Sequence, residues 1–495
     1  MSPSLIITII AVYFSVLLII AYITGKNADT KTFFTADRKS PWYLVAFGMI
    51  GTSISGVTFI SVPGAVGLVN QSGELKAFSY FQIILGHLVG YFIIATVLMP
   101  LYYRLNLISI YTYLEQRFGF WAYKTGSFFF LLSRTIGSSL RLFLAAMVLQ
   151  LFLFDKLNVP FFMTVLITIV LIWVYTFKGG VKTIIWTDSF QTLFLVGAVA
   201  ISLVLISQRL GLSVPEMVTM VNKTDYSKIF FLDDVKSDKY FFKQFIAGIF
   251  IAVAMTGLDQ DLMQKNLTCK NINEAQKNMF SFSIIMAIVN YMFLMLGALL
   301  YIYATEKGVL LPAGADKVYP YLAMNEFGTL AAVFFLLGII ASSYASSDSA
   351  LAALTTSFCI DFLDFKNKPE KVRARQKTIV HVGFSLVFLI IIVVFKELNQ
   401  SSVIDAVLSA ASYTYGPLLG LFSFGILTKR KVKDALVPLI CVLSPLITLL
   451  ISTNSEALLW GYKFSFETLI LNGLICFLGL LVISYPSRGE EKIVL

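Results

Sequence analysis

Gly48-Met-Ile-Gly51-Thr-Ser-Ile-Ser-Gly56-Val-Thr58 lies inside an apolar stretch that runs from Trp42 to about residue 69. Three glycines and four hydroxyl residues are unusual in the middle of a helix surrounded by lipid. An unwound turn frees backbone groups that hydrocarbon cannot satisfy, so it is tolerated only where the backbone lines a cavity. A second apolar stretch, 242–264, contains Ala254-Met-Thr256-Gly257-Leu-Asp259-Gln260-Asp261. Small residues also let helices pack closely, and one such stretch alone would be read that way. Two of them, each leading a set of five apolar stretches, point to a pair of discontinuous helices.

Working outward, the composition belongs to a membrane protein. The chain of 495 residues is 58% hydrophobic and 13% charged, with a mean hydropathy of +0.82; soluble domains carry about 25% charged residues. Thirteen apolar stretches are long enough to cross about 30 Å of hydrocarbon as helices. They lie near 4–24, 42–69, 76–102, 121–153, 158–177, 183–207, 242–264, 276–304, 328–363, 378–395, 400–427, 435–452 and 466–485. The expected fold is therefore all-α and polytopic. Residues 42–207 and 242–427 each hold five spans, and an odd number per half gives the halves opposite topology. Residues 1–41 add a first span and its loop, 208–241 form the longest outer loop, and 428–495 add two spans and a tail.

The net charge of +10 acquires meaning from its distribution. With the N-terminus outside, the loops expected in the cytoplasm hold 24 of the 38 Lys and Arg, and the outer loops 12. That asymmetry sets membrane orientation. The clusters Lys366–Lys377 and Lys429–Lys433 are topology signals, and nucleic acid is not an expected partner. The first stretch, Ser4–Thr24, lacks a basic leader and a small-residue cleavage site, so it reads as a retained span. The four cysteines, Cys269, Cys359, Cys441 and Cys476, have no metal-ligand spacing.

Chemistry concentrates in three places. Ser342, Ser343, Ser346 and Ser347 recur at helical spacing and share one face. A small hard cation stripped of water needs such oxygens, supplemented by carbonyls freed at a broken helix. Ser342 lies roughly 21 Å from the outer start of its span, and Gly51–Ile54 roughly 14–18 Å from the inner start of theirs, so both reach mid-membrane. The alternative is a small-residue packing face. Asp188, in Gly179-Gly180-Val-Lys182 to Trp186-Thr187-Asp188-Ser189-Phe190-Gln191, sits within the sixth span. An acidic residue there faces a partner or a pathway. Two readings stand: a second cation site with Ser346, or an ion pair with Lys182 or Arg134. Arg134 and Arg141, two turns apart in the fourth span, must each be offset by an anion or by hydrogen bonds. Asp188, Asp259, Asp261, Asp348, Asp405 or a substrate carboxylate would serve. His87 and His381 read as packed or hydrogen-bonded residues. The Asp361-Phe-Leu-Asp364 pair has no second copy to complete a metal site, so no enzyme motif is recognised.

Gly179-Gly180-Val-Lys-Thr-Ile-Ile-Trp186-Thr187-Asp188-Ser-Phe-Gln191, the Ser342–Ser349 run and Tyr415-Gly-Pro417-Leu-Leu-Gly420 resemble the sodium/solute symporter family. Its members carry glucose, proline, sialic acid, pantothenate or iodide with sodium. The resemblance covers nearly the whole chain and implies the LeuT-type fold, five spans repeated upside down. It implies a principal sodium site from the carbonyls of Gly51, Ile54 and Ile339 and the hydroxyls of Ser342 and Ser343. It implies a second site in some members, here Asp188 with Ser342, Ser346 and Ser347, although Ala345 replaces one serine ligand. The solute is expected between the broken helices, against Ser53, Ser55, Thr58, Thr256, Asp259 and Gln260, with Arg134 and Arg141 available to a carboxylate. Asp261 and Leu262 stand where several members carry an aromatic inner gate.

The implied activity is alternating-access symport of sodium and a small polar solute, such as a sugar, a sialic-acid-like sugar acid or another carboxylate, across the inner (plasma) membrane. No organic cofactor and no obligatory protein partner is expected. A potential of about 150 mV contributes roughly 3.5 kcal/mol per charge and a tenfold sodium gradient about 1.4. One ion thus suffices for a few-thousandfold accumulation of a neutral solute, on the order of magnitude these terms allow. Proton coupling, uncoupled transport and a transporter-like sensor are the competing readings.

Overall fold

A computed structural model describes residues 3–26, 34–69, 73–176, 180–363, 365, 368–398 and 403–486. Gly179, Asp364 and Lys366 of the motifs quoted above lie outside the described residues. Apart from one two-stranded pairing of Lys431–Val432 with Ser484–Tyr485, the architecture is helical.

The principal helices, short connecting turns aside, follow in chain order. They are α1 (Pro3–Gly25), α2 (Trp42–Ser53), α3 (Gly56–Ala65), α4 (Tyr80–Arg104), α5 (Phe120–Leu157), α6 (Phe161–Thr176), α7 (Gly180–Arg209), α8 (Phe241–Gly257), α9 (Gln260–Asn266), α10 (Ile272–Lys307), α11 (Ala315–Asn325), α12 (Gly328–Phe362), α13 (Glu370–Leu398), α14 (Val403–Thr414), α15 (Gly416–Leu427), α16 (Asp434–Thr453) and α17 (Thr468–Val482). Among the described residues, eight helices are long and apolar enough to cross a membrane, or up to ten spans if each of two bent pairs counts as one. The protein is a multi-pass membrane protein. Among the described residues, four further apolar helices are shorter than these eight. The stretch 400–427 divides at Tyr415, where Pro417 supplies no backbone donor.

Both interrupted stretches are broken. The axes of α2 and α3 differ by 59°, and those of α8 and α9 by 70°. The first break has a direct backbone cause. Ile54 (φ −84°, ψ 87°) and Ser55 (φ −81°, ψ 177°) leave the helical region. The Ser55 N–H donates to the Ser53 carbonyl at 3.2 Å instead of to Gly51, whose carbonyl loses its helical donor. At the second break Asp259 is extended, and its carboxylate accepts from the N–H groups of Asp261 and Leu262, capping α9.

The centre of the bundle is α12, in which every residue from Phe335 to Ser357 is buried. It packs against α2, α3, α5, α7 and α13, while α4 runs beside α8 and α15–α17 form a peripheral group. Lipid-facing surfaces carry large exposed side chains, among them Val12, Ile19, Val170, Val174, Ile390 and Leu450. The polar serines thus occupy the most enclosed helix, which is the inverse of a soluble protein's distribution.

Candidate functional site

The first broken helix and the serine face of α12 touch. A Cβ built on Gly56 would lie 2.3 Å from Ser343 Oγ and 3.0 Å from Ile339 Cδ1, and only glycine permits that approach. A Cβ on Gly51 would lie 2.5 Å from Thr192 Oγ1 and 3.6 Å from Ala345 Cβ. Thr192 in turn accepts from the Gly51 N–H at 3.0 Å. The serines differ from one another. Ser342 Oγ donates to the Ile339 carbonyl at 3.1 Å, and Ser346 and Ser347 both donate to the Ser343 carbonyl, at 3.0 and 2.7 Å. Ser343 Oγ, fully buried, has no hydrogen-bond partner among the described residues. A buried hydroxyl without a partner carries a desolvation cost of about 1–3 kcal/mol, and its position against freed backbone gives it an evident use.

Beside this contact lies a cavity of about 100 Å³ lined by Thr52, Ser53, Ser55, Thr58, Arg134, Arg141 and Thr256, together with Tyr80, His87 and Ile404. Tyr80 and Ile404 also line a vestibule of about 880 Å³ on the face that carries Asp234, Lys236 and Lys463. The cavity and the vestibule thus share Tyr80 and Ile404 as wall residues. Ser53 Oγ and both ring nitrogens of His87 have no hydrogen-bond partner among the described residues; His87 packs beside Tyr91, with ring centroids 5.9 Å apart, and lines the cavity. His381, by contrast, meets Thr355 Oγ1 at 3.1 Å as foreseen. Six of the eight expected solute-binding residues are brought together here. Asp259 and Gln260 are not among the lining residues: the Asp259 carboxylate receives Tyr415 OH at 2.5 Å and caps α9. Gln260 bridges Ile110 N at 2.9 Å and the Ile108 carbonyl at 2.7 Å.

The two arginines have separate fates. Arg134 is ion-paired with Asp261, and Asp259 lies 3.8 Å from it. Arg141 makes no ion pair and no hydrogen bond with the described residues, and its backbone carbonyl lies 3.5 Å from a Cβ built on Gly56. Of the two arginines that line the cavity it is the one without an ion pair among the described residues. Asp188 is paired with neither Lys182 nor Arg134. Its partner is Lys265 of α9, with Thr52 Oγ1 donating to the same carboxylate oxygen at 2.9 Å.

A model of the sodium:solute symporter family matches residues 33–440. The chain belongs to the sodium:solute symporter family. Among curated relatives, the sodium/sialic acid symporter NanT of Aliivibrio fischeri is 25% identical, over 89% of this chain and 86% of that one. The sodium/sialic acid symporter SiaT of Proteus mirabilis is 25% identical over 84% and 83%. The human sodium/iodide cotransporter is 21% identical over 81% and 62%. Among solved structures, a Na+-coupled sialic acid symporter in a substrate-bound outward-open state superposes with a TM-score of 0.81. It is 19% identical and covers 96% of this chain and 97% of that one. Mhp1, a nucleobase-cation-symport-1 transporter, follows at a TM-score of 0.52 with 15% identity. The protein is thus a transporter and not an enzyme: a sodium-coupled symporter of a small polar solute in the plasma membrane, with sodium as its coupling ion.

What the sequence did not reveal in the symporter is the role of α9. All seven of its residues are buried, and five are polar. Asp261 also receives the Ser349 hydroxyl, Gln264 donates to the Phe34 carbonyl at 2.8 Å and to Thr356 at 3.2 Å, and Asn266 meets Asn278 at 2.5 Å. Ending the span at residue 264 left Lys265 among the loop charges. A lysine at an apparent membrane boundary gives no sign of a buried partner 77 positions away.

Proposed function

We propose that the symporter binds sodium between the broken α2–α3 pair and α12, and a sugar acid of the sialic-acid class in the adjoining cavity. The observation that carries the solute assignment is the unpaired guanidinium of Arg141 facing that cavity. Its planar fork matches a carboxylate with two parallel hydrogen bonds, which a neutral sugar cannot offer. Ser53, Ser55, Thr58 and Thr256 then meet hydroxyls, and His87 supplies one donor and one acceptor. The relatives whose names specify sialic acid agree with this chemistry.

The principal sodium ligands in this reading are the carbonyls of Gly51, Ile54 and Ile339 with the hydroxyls of Ser342 and Ser343. The unmade hydrogen bond of Ser343 and the freed Gly51 carbonyl support it. Sodium there ties the break to α12 and so presets Ser53, Ser55 and Arg141 for the solute, which is coupling through pre-organisation. Residues 42–207 and 242–427 form inverted five-span repeats within thirteen spans, N-terminus outside and C-terminus in the cytoplasm. The vestibule then faces outward. The polar clamp of α9 is the closed inner gate, and opening inward requires its ion pairs with Arg134 and Asp188 to separate.

Uptake of labelled N-acetylneuraminate into proteoliposomes, with sodium or choline outside, tests the reading. Uptake that depends on sodium and falls with Arg141→Ala is expected. Equal uptake in choline would remove the sodium coupling. Unchanged affinity in Arg141→Ala, or protection from thermal unfolding by neutral sugars alone, would remove the carboxylate.

A further inference from the structure

The second acidic position of the symporter already holds a cation of its own. Asp188 is 0% exposed and Lys265 2% exposed, and the ammonium touches both Asp188 Oδ2 and Thr52 Oγ1. Thr52 Oγ1 donates to the same carboxylate oxygen at 2.9 Å, so ammonium, hydroxyl and carboxylate close a three-membered ring of contacts across α9, α2 and α7. From these contacts we infer that Lys265 takes the place of a second coupling ion, and that one sodium accompanies each solute. The inference rests on the sodium reading of the Ser343 site.

Four arguments converge on it. A tethered ammonium competes with sodium for one carboxylate at high effective concentration and needs no diffusion to reach it. Sodium at Oδ2 of Asp188 would have to expel Lys265 and leave a buried ammonium without an anion, which a membrane interior opposes; Oδ1, which has no hydrogen-bond partner among the described residues, leaves a cation a single carboxylate contact. The neighbouring face of α12 also lacks one side-chain oxygen, because Ala345 presents a methyl toward Gly51. Thr52, finally, lines the solute cavity, so the ring is joined to solute binding without a mobile ion in it. Because Lys265 belongs to the chain, its charge returns with the protein in every cycle. It fixes the geometry a second ion would fix and transfers nothing across the membrane.

Equilibrium binding of 22Na+ to the purified full-length protein, with no solute present, tests the inference directly. One sodium per chain is expected for the native protein and for Lys265→Arg, which keeps the tethered charge. Two are expected for Lys265→Ala combined with Ala345→Ser, with the Hill coefficient rising from about 1 toward 2. Two sodium ions in the native protein would overturn the inference and leave the Ser343 site standing. A double variant that binds sodium as tightly as the native protein but still only once would overturn it as well. No bound sodium in the native protein would sink the Ser343 reading itself, and this inference with it.

Discussion

Arg134 and Arg141 are the same residue two helical turns apart, yet the structure gives one to the protein and leaves the other to a ligand. The difference lies in what faces each: Asp261 and Asp259 meet Arg134, while Arg141 looks into the cavity. Two charge-assisted hydrogen bonds to a carboxylate contribute about 3 kcal/mol together at the low end of their range. Arg141→Ala is therefore expected to raise the KM for a sugar acid by about 100-fold. Arg141→Lys should recover only part of that, since a point charge cannot reproduce the fork; initial uptake rates over a concentration series measure both. Ser343→Ala removes the hydroxyl that lacks a partner, so it should leave the folded protein intact while weakening sodium activation roughly tenfold or more, the equivalent of a single good ligand contact. Sodium dependence of uptake at saturating solute reads this out. Wild-type sodium affinity in Ser343→Ala would refute that ligand.

At the scale of helices, the two breaks were legible because each gathers glycine with hydroxyl or acidic groups in mid-stretch, a pattern that apolar packing has no reason to assemble. The half-helix α9 was not legible, because five polar residues after a broken span look like the start of a loop. Their partners, Asp188, Arg134, Phe34, Ser349, Thr356 and Asn278, come from five separate stretches of the sequence. Only the fold brings them within reach. The contact between the elements can be tested by paired substitution. Gly56→Ala drives a methyl to within 2.3 Å of Ser343 Oγ, so it should separate α3 from α12 and abolish sodium stimulation. Removing the obstruction with Ser343→Gly should restore folding of the Gly56→Ala protein, judged by thermal unfolding, without restoring sodium affinity. The clamp yields a different result. Arg134→Met strands Asp261 and Asp259 and should cost about 3–5 kcal/mol, whereas Arg134→Met with both Asp261→Asn and Asp259→Asn should lose clearly less, because no carboxylate of the clamp is then left buried without its cation.

For the molecule as a whole, the sequence conveyed an all-helical bundle with two broken spans, because apolar length and mid-span glycine are local properties. It did not register the break at Tyr415, because hydropathy does not mark where a helix stops inside an apolar stretch. Charge movement over a full cycle is the property that integrates every assignment made above. One sodium and one monoanionic solute carry no net charge, and Lys265 moves with the chain, so the membrane potential exerts no net work on the loaded transporter. Accumulation of N-acetylneuraminate should then follow the sodium gradient alone, about tenfold for a tenfold gradient. A potassium diffusion potential of about −120 mV, imposed with valinomycin, should leave that plateau unchanged. A second sodium would make the same cycle carry one positive charge inward and add roughly 2.8 kcal/mol at that potential, raising the plateau by on the order of 100-fold. A neutral solute with a single sodium would show the same rise, but without dependence on Arg141. Plateau accumulation measured at both potentials, in the native protein and in Arg141→Ala, therefore separates the charge of the solute from the number of ions.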